Sequence, residues 1–206
     1  MKKPNQNFHA CDHLRFAEMR KLVKADKGKT ILDIGGGLYS IAKGLPSKET
    51  IILDGDKKFK PTIVADFNNP LPIDDSSVDI VIAGEIIEHL INPFRFLLEI
   101  KRVLKSGGQL VLSTPNEVDL KSRIKVLFGK LPTNCARAFA TEEDQIFNHK
   151  ADYNWQILKE MVEKAGFKVN HRNNTGIFIG SRLVIPPKIC PLTFGEKIIV
   201  EAIKIK

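Results

Sequence analysis

The stretch Thr30-Ile31-Leu32-Asp33-Ile34-Gly35-Gly36-Gly37-Leu38-Tyr39-Ser40 plants an acid inside an apolar run and follows it with three glycines and a tyrosine. Glycines at 35 and 37 let backbone approach a ligand closely. A helix opening directly behind them would aim its N-terminal N–H groups and positive dipole end at an anionic group. Further acids recur downstream at Asp54, Asp66 and Glu85, each behind a short apolar run. Asp54 stands nineteen residues beyond Gly35, close to the spacing at which an acid meets a ribose diol. If those apolar runs are neighbouring strands, the four acids outline one crevice at their carboxyl ends.

The elements that must position these residues are legible in the apolar pattern. Asp12 to Ala25 carries Leu14, Ala17, Met19, Leu22 and Val23 at roughly helical spacing. Thr30–Ile34, Thr50–Leu53, Thr62–Ala65, Val78–Ala83 and Gln109–Ser113 read as short buried strands. The glycine turn is expected to open a helix through Ile41, Ala42 and Leu45. Asn92-Pro93 offers an N-cap and a proline at the first helical position, ahead of a stripe of Leu97, Leu98, Val103 and Leu104 closed by Gly107-Gly108. Trp155–Ala165 predicts another helix, stopped at Gly166 and followed by a strand at Phe167–Val169. The run from Lys197 to Ile203 predicts a last strand returning antiparallel. Strands alternating with helices imply right-handed βαβ units and a parallel sheet covered on both faces. The fold expected is α/β, doubly wound, with a mostly parallel seven-stranded Rossmann-like sheet and a C-terminal antiparallel strand. At 206 residues the chain suits one domain over 1–206, with a helix at 12–25 and basic, apolar insertions near 117–148 and 173–194.

Two ligand families use such a glycine turn. A dinucleotide fingerprint places a third glycine where this chain has Ser40, and its pyrophosphate would be repelled by Asp33. An acid there suits a ligand with positive charge, such as the ammonium and sulfonium of S-adenosylmethionine. With "ILDIGGG", "IILDGD", "ADFNNPLPIDDSSVDIVIAGEIIEHL" and "NPFRFLLEIKRVLKSGGQLVLSTPN" in hand, the chain resembles the class I S-adenosylmethionine-dependent methyltransferases. The likeness is to their compact domains that act on small molecules, lipids or sugars. It runs from about Thr30 to Asn116 and resumes through Tyr153–Val169. It implies S-adenosylmethionine as methyl donor, with Gly35 and Gly37 backbone at the methionine part beside Asp33. Asp54 would bind the ribose hydroxyls, Asp66 the adenine amino group with Phe67 alongside, and Glu85 the methionyl ammonium. Tyr39 departs from the family pattern, which keeps a glycine there. Its ring stacks on the donor, turns outward or fills the pocket, and the last case describes a degenerate, non-catalytic binding module. An NAD-dependent dehydrogenase is a second alternative.

Methyl transfer from a sulfonium is an in-line displacement that needs alignment first, and a general base only when the acceptor must lose a proton early. His149, ahead of the Tyr153–Gly166 helix, is the candidate base, whereas His89 in "EIIEHL" reads as structural. The acceptor should be selected by the two insertions, expected to act as lids. Ile124, Val126, Leu127 and Phe128 interleave with Lys121, Arg123 and Lys125, a mouth suited to a small-molecule or a lipid- or sugar-linked, anionic acceptor.

A net charge of +8 and a pI near 9.4 admit an acidic partner or simply a solvated lysine surface. The excess sits toward the C-terminal half: Lys121, Arg123, Lys125, Lys130 and Arg137 have no acid among them. Aromatic residues make up 7%, with no stacking platform, so nucleic acid is not indicated. No apolar run approaches the roughly 20 residues of a membrane span, though peripheral membrane contact stays open. Cys11, Cys135 and Cys190 fit neither a disulfide framework nor close zinc pairs, and the first residues lack a secretory apolar core; both suit a reducing, cytoplasmic setting. His9, Cys11 and His13 cluster without a third strong ligand, and no metal is expected. Oligomeric state has no signature in the sequence.

Overall fold

The computed structural model describes residues 10–37, 39–132 and 149–205. His9, Cys135, Arg137 and the later part of the 117–148 insertion lie outside the described residues. Helix α1 (Ala10–Leu22) precedes β1 (Thr30–Ile34), β2 (Glu49–Asp54), the short β3 (Ile63–Val64) and β4 (Val78–Gly84). Helix α2 (Pro93–Val103) and β5 (Leu104–Pro115) follow, then α3 (Leu120–Leu127) and α4 (Trp155–Lys164). Strand β6 (Phe167–Asn174), a β7–β8 hairpin (Ile177–Ile179, Arg182–Ile185) and β9 (Lys197–Lys204) complete the order.

Seven strands form one sheet in the order β3-β2-β1-β4-β5-β9-β6. The first five pair in parallel, and β9 runs antiparallel to both β5 and β6. The strands alternate between two apolar layers. Leu32, Ile34, Val81 and Ala83 face α2 and α4, where Phe96, Leu97, Ile100, Leu158 and Val162 close a large core. Ile31, Ile80, Ile82, Val111 and Ile199 face Met19 of α1 on the other side. The expected α/β sheet, mostly parallel with a C-terminal antiparallel strand, is therefore present.

Helix α2 begins as its sequence signals: the Asn92 side chain accepts from the Arg95 N–H at 3.0 Å and Pro93 takes the first turn. Its end differs from the expectation. The helix stops at Val103, where the N–H groups of Ser76 and Ser77 cap the carbonyls of Arg102 and Val103 at 2.9 Å. Leu104 already pairs with Val78, so Gly107 and Gly108 lie inside β5 and do not close a helix.

A second difference bears on the site. Among the described residues of 35–48 the helix expected after the glycine turn is absent, and the chain runs there through turns and bends. Gly44, at φ +77°, and Pro46 leave too few residues after Ser40 to nucleate a helical turn. Ile41 and Ala42 are still buried, at 3% and 1% exposure, against the α1 face. Cys11 and Cys190 are buried free thiols. Asn173 and Asn174 belong to β6, so the second excursion from the sheet starts at Thr175.

Replacing Phe96, 2% exposed at the centre of the α2 face, with alanine should destabilise the protein by about 3–5 kcal/mol. Urea unfolding would read this as a lower midpoint at an unchanged m-value.

Candidate active site

A cavity of about 430 Å³ opens at the carboxyl ends of β1, β2 and β4. Asp33, Gly35 and Gly36 form its floor, Asp54 one side, and Gly84 with Glu85 the other. Helix α1 contributes Asp12, Arg15 and Phe16 to the remaining wall.

Asp33 is 1% exposed, and its carboxylate accepts from the Ser40 hydroxyl at 2.6 Å and the Ala42 N–H at 3.0 Å. Burial raises its pKa above the ordinary carboxylate value, opposed by these hydrogen bonds and by the Arg15 charge. The acid thus holds the irregular 35–48 segment in place of the missing helix. Gly36 is required beside it, because a Cβ at that position would stand 2.7 Å from the Asp33 carboxyl carbon. Gly35, at φ +75°, turns the chain while its N–H donates to the Leu53 carbonyl at 2.7 Å.

Asp54 accepts from the Gly37 N–H and from the Asp56 N–H, both at 2.9 Å. A Cβ on Gly37 would stand 2.6 Å from both Asp54 Oδ2 and Phe59 Cβ, so this glycine fixes the Asp54 carboxylate. The Ala65 N–H donates to the Asp54 carbonyl at 3.1 Å, which sets the Asp66–Phe67 turn beside Asp54 but outside the cavity lining. The exposed Asp66 carboxylate accepts from Asn68 and Asn69 side chains, and Phe67 packs 6.4 Å from the Phe96 ring. The Tyr39 side chain is 47% exposed, and its ring meets Phe16 edge-on at 6.5 Å. It stands at the mouth and leaves the cavity open.

Glu85 sits at φ +57° and ion-pairs with Lys197 of β9 while accepting from the Ser113 hydroxyl at 3.3 Å. Burial acts to raise its pKa, but the charges of Lys197 and Arg15 hold the carboxyl below its ordinary value. Lys197 is displaced upward: burial alone would lower it, and the Glu85 carboxylate more than offsets that.

Arg15 was not singled out in the sequence. It is 7% exposed, with Nη1 3.4 Å from the Ser113 hydroxyl and Nε lacking a hydrogen-bond partner. A Cβ at Gly84 would stand 2.6 Å from Arg15 Nη1, so the guanidinium enters the site over bare backbone. The only signal available was a basic residue between Leu14 and Phe16 in a helix read from its apolar spacing. His149 lies outside the cavity lining, its ring 5.0 Å from that of His89 and its Nδ1 3.9 Å from Glu117 Oε1.

The residues present suit a zwitterionic, ribose-bearing ligand. One cation and four carboxylates surround a glycine floor, the buried Nε of the cation makes no hydrogen bond and has Asp12 Oδ1 at 3.6 Å, and the volume falls within the usual range for small-ligand sites.

Residues 32–112 match the family model for a methyltransferase domain. A probable S-adenosylmethionine-dependent methyltransferase from Mycolicibacterium smegmatis is 33% identical over 115 residues, 55% of this chain and 37% of the relative. The chain thus spans little more than a third of that relative's length. An uncharacterized protein from Methanocaldococcus jannaschii is 29% identical over 192 residues, covering 87% of this chain and 73% of its own. Among solved structures, a putative methyltransferase from Bacillus halodurans superposes with a TM-score of 0.64 at 17% identity, over 93% of this chain and 99% of that one. The matched segment contains the end of β1, the glycine turn, Asp54, Asp66 and Glu85, whereas Asp12, Arg15 and Phe16 of the cavity wall precede it. Residues 32–112 thus carry the match to a methyltransferase domain, and the chain shares the fold of solved methyltransferase structures.

Proposed function

We propose that this protein transfers a methyl group from S-adenosylmethionine to a small-molecule or lipid- or sugar-linked acceptor. The observation that carries the reading is a single buried guanidinium, Arg15, set among Asp12, Asp33, Asp54 and Glu85 over a glycine floor. When bound, the donor supplies a methyl group already activated on sulfonium, so the chain's task is alignment and exclusion of water. Arg15 takes the role that a helix N-terminus would have filled: it is the one Lys or Arg among the described lining residues, and it meets the donor carboxylate. Glu85, kept ionised by Lys197, faces the ammonium. Asp54, oriented by Gly37, accepts from the ribose hydroxyls, and the Asp66–Phe67 turn receives the adenine. Asp33 shapes the turn and adds negative potential beneath the cationic centre, while Tyr39 and Phe16 form the outer wall.

The acceptor side is basic and apolar. Leu127, Phe128 and Leu131 are 83%, 76% and 77% exposed beside Lys125 and Lys130. That composition supports an anionic or lipid-linked acceptor. Among the described residues no helix is long and apolar enough to cross a membrane, and the described cysteines are free thiols. A cytoplasmic setting with peripheral membrane contact is the matching proposal.

Calorimetric titration with S-adenosylmethionine and with its demethylated product tests donor binding. We expect saturable heat with a dissociation constant below about 1 mM; no heat at millimolar ligand rejects the reading. Arg15→Met should weaken both ligands at least tenfold, about 1.4 kcal/mol. Gly37→Ala should do the same by displacing the Asp54 carboxylate, with a lower thermal midpoint from the contact with Phe59 and a circular dichroism spectrum that reports the fold.

A further inference from the structure

A second cluster of polar side chains lies beside the donor cavity. Glu88, three residues beyond Glu85, sits in a single 3-10 turn (Ile87–His89) and is 1% exposed. Its Oε2 accepts from the Thr114 hydroxyl at 2.9 Å, while Oε1 is buried without a hydrogen-bond partner, 3.9 Å from His89 Nε2. Main-chain contacts bring distant residues to the same place. The N–H groups of Lys150 and Ala151 donate to the Glu88 carbonyl at 2.7 and 3.2 Å, which pins His149 against the turn. The Glu117 N–H donates to the Tyr153 carbonyl at 3.0 Å, which brings Glu117 and Asp152 alongside.

As a result, Glu88, His89 and His149 each offer a ligand atom within 4.8 Å of the others, and so do Glu117, His149 and Asp152. The Glu117 side chain is 10% exposed, and neither of its carboxylate oxygens has a hydrogen-bond partner. Among the described residues no lysine or arginine forms an ion pair with Glu88, Glu117 or Asp152. Lys197, whose charge reaches Glu88 and Glu117, is committed to Glu85. Buried carboxylates are stable when paired or when they coordinate a metal.

We propose that Glu88, His89 and His149 bind one divalent transition-metal ion, with Glu117 behind His149 as the residue that orients its ring. Two imidazoles and one carboxylate are a donor set for first-row transition ions, whereas magnesium prefers oxygen donors and retained waters. Glu117 Oε1 lies 3.9 Å from His149 Nδ1, the arrangement in which a carboxylate fixes the tautomer and ring orientation of a ligating histidine. Glu88 Oε1 and His89 Nε2 stand 3.9 Å apart, and Glu88, His89 and His149 all offer donor atoms within 4.8 Å of one another, so the side chains must close in by up to about 1.5 Å around an ion held at about 2.0–2.2 Å. The proposal departs from the sequence expectation of no metal, which weighed the cysteine spacing and the His9, Cys11 and His13 cluster.

The test uses the full chain stripped by chelator and titrated with Co²⁺, without methyl donor, following the visible absorption of the bound ion and its displacement by Zn²⁺. One equivalent should bind, and millimolar Mg²⁺ should not displace it. His89→Ala and Glu88→Gln should each weaken Co²⁺ at least tenfold and alter the spectrum, with circular dichroism reporting the fold. Should Glu88→Gln fail to fold, His89→Ala decides the matter, since that side chain is 30% exposed on the turn. Glu117→Gln should weaken binding about 10–100-fold without abolishing it. Absence of a visible band in the unsubstituted protein, or binding that survives His89→Ala, overturns the assignment. Donor titration of the same stripped protein is read separately, so loss of the metal site and loss of the methyltransferase reading are distinguishable.

Discussion

Burial of the Asp33 carboxylate is the constraint on which the candidate site depends. A carboxylate removed from water must be satisfied locally, and Ser40 and Ala42 do this by folding the chain back over the end of β1. That contact gives a defined path to a segment too interrupted by Gly44 and Pro46 to form a helix. It also explains Gly36, whose missing Cβ is the space the carboxylate occupies. With no helix dipole at the turn, the positive end of the site comes instead from α1, whose Arg15 reaches across bare backbone at Gly84.

The remaining charges are arranged around that substitution. Arg15 and Lys197 both act on Glu85, and the acid holds its left-handed backbone conformation between β4 and the following turn. Serine and threonine at 113 and 114 point to opposite faces of β5, one toward Arg15 and Glu85, the other toward Glu88. Two polar centres are thereby separated by the thickness of one strand end, each with its own acid from the same short turn.

The apolar runs located the strands of the parallel sheet well, because buried parallel strands are continuous in Val, Ile and Leu. Asn92-Pro93 located the start of α2 for the same local reason. What local pattern did not disclose was decided by tertiary pairing. Leu104 leaves the helical stripe because Val78 offers it a ladder partner, and Ile41 and Ala42 keep their apolar role without the helix. In the site, the glycines and strand-end acids were recognisable from type and spacing. Arg15 was not, since nothing in its own helix indicates which strand ends it will face. Glu88 and Glu117 were not, since hydrogen bonds from main chain at 150–153 bring them to His149.

Strand β9 follows β6 in sequence yet lies between β5 and β6, pairing with both. Strand β6 therefore has no edge to join until β9 has docked, and β9 itself closes against β5 over a long sequence separation, a slow kind of pairing. Lys197 is the first residue of β9. The Lys197 counter-charge for Glu85 arrives with the strand that links β6 to the rest of the sheet, so a molecule caught before that step has only Arg15 to compensate the acid at the mouth of its cavity. Order of assembly and competence to hold a ligand are in this way the same event.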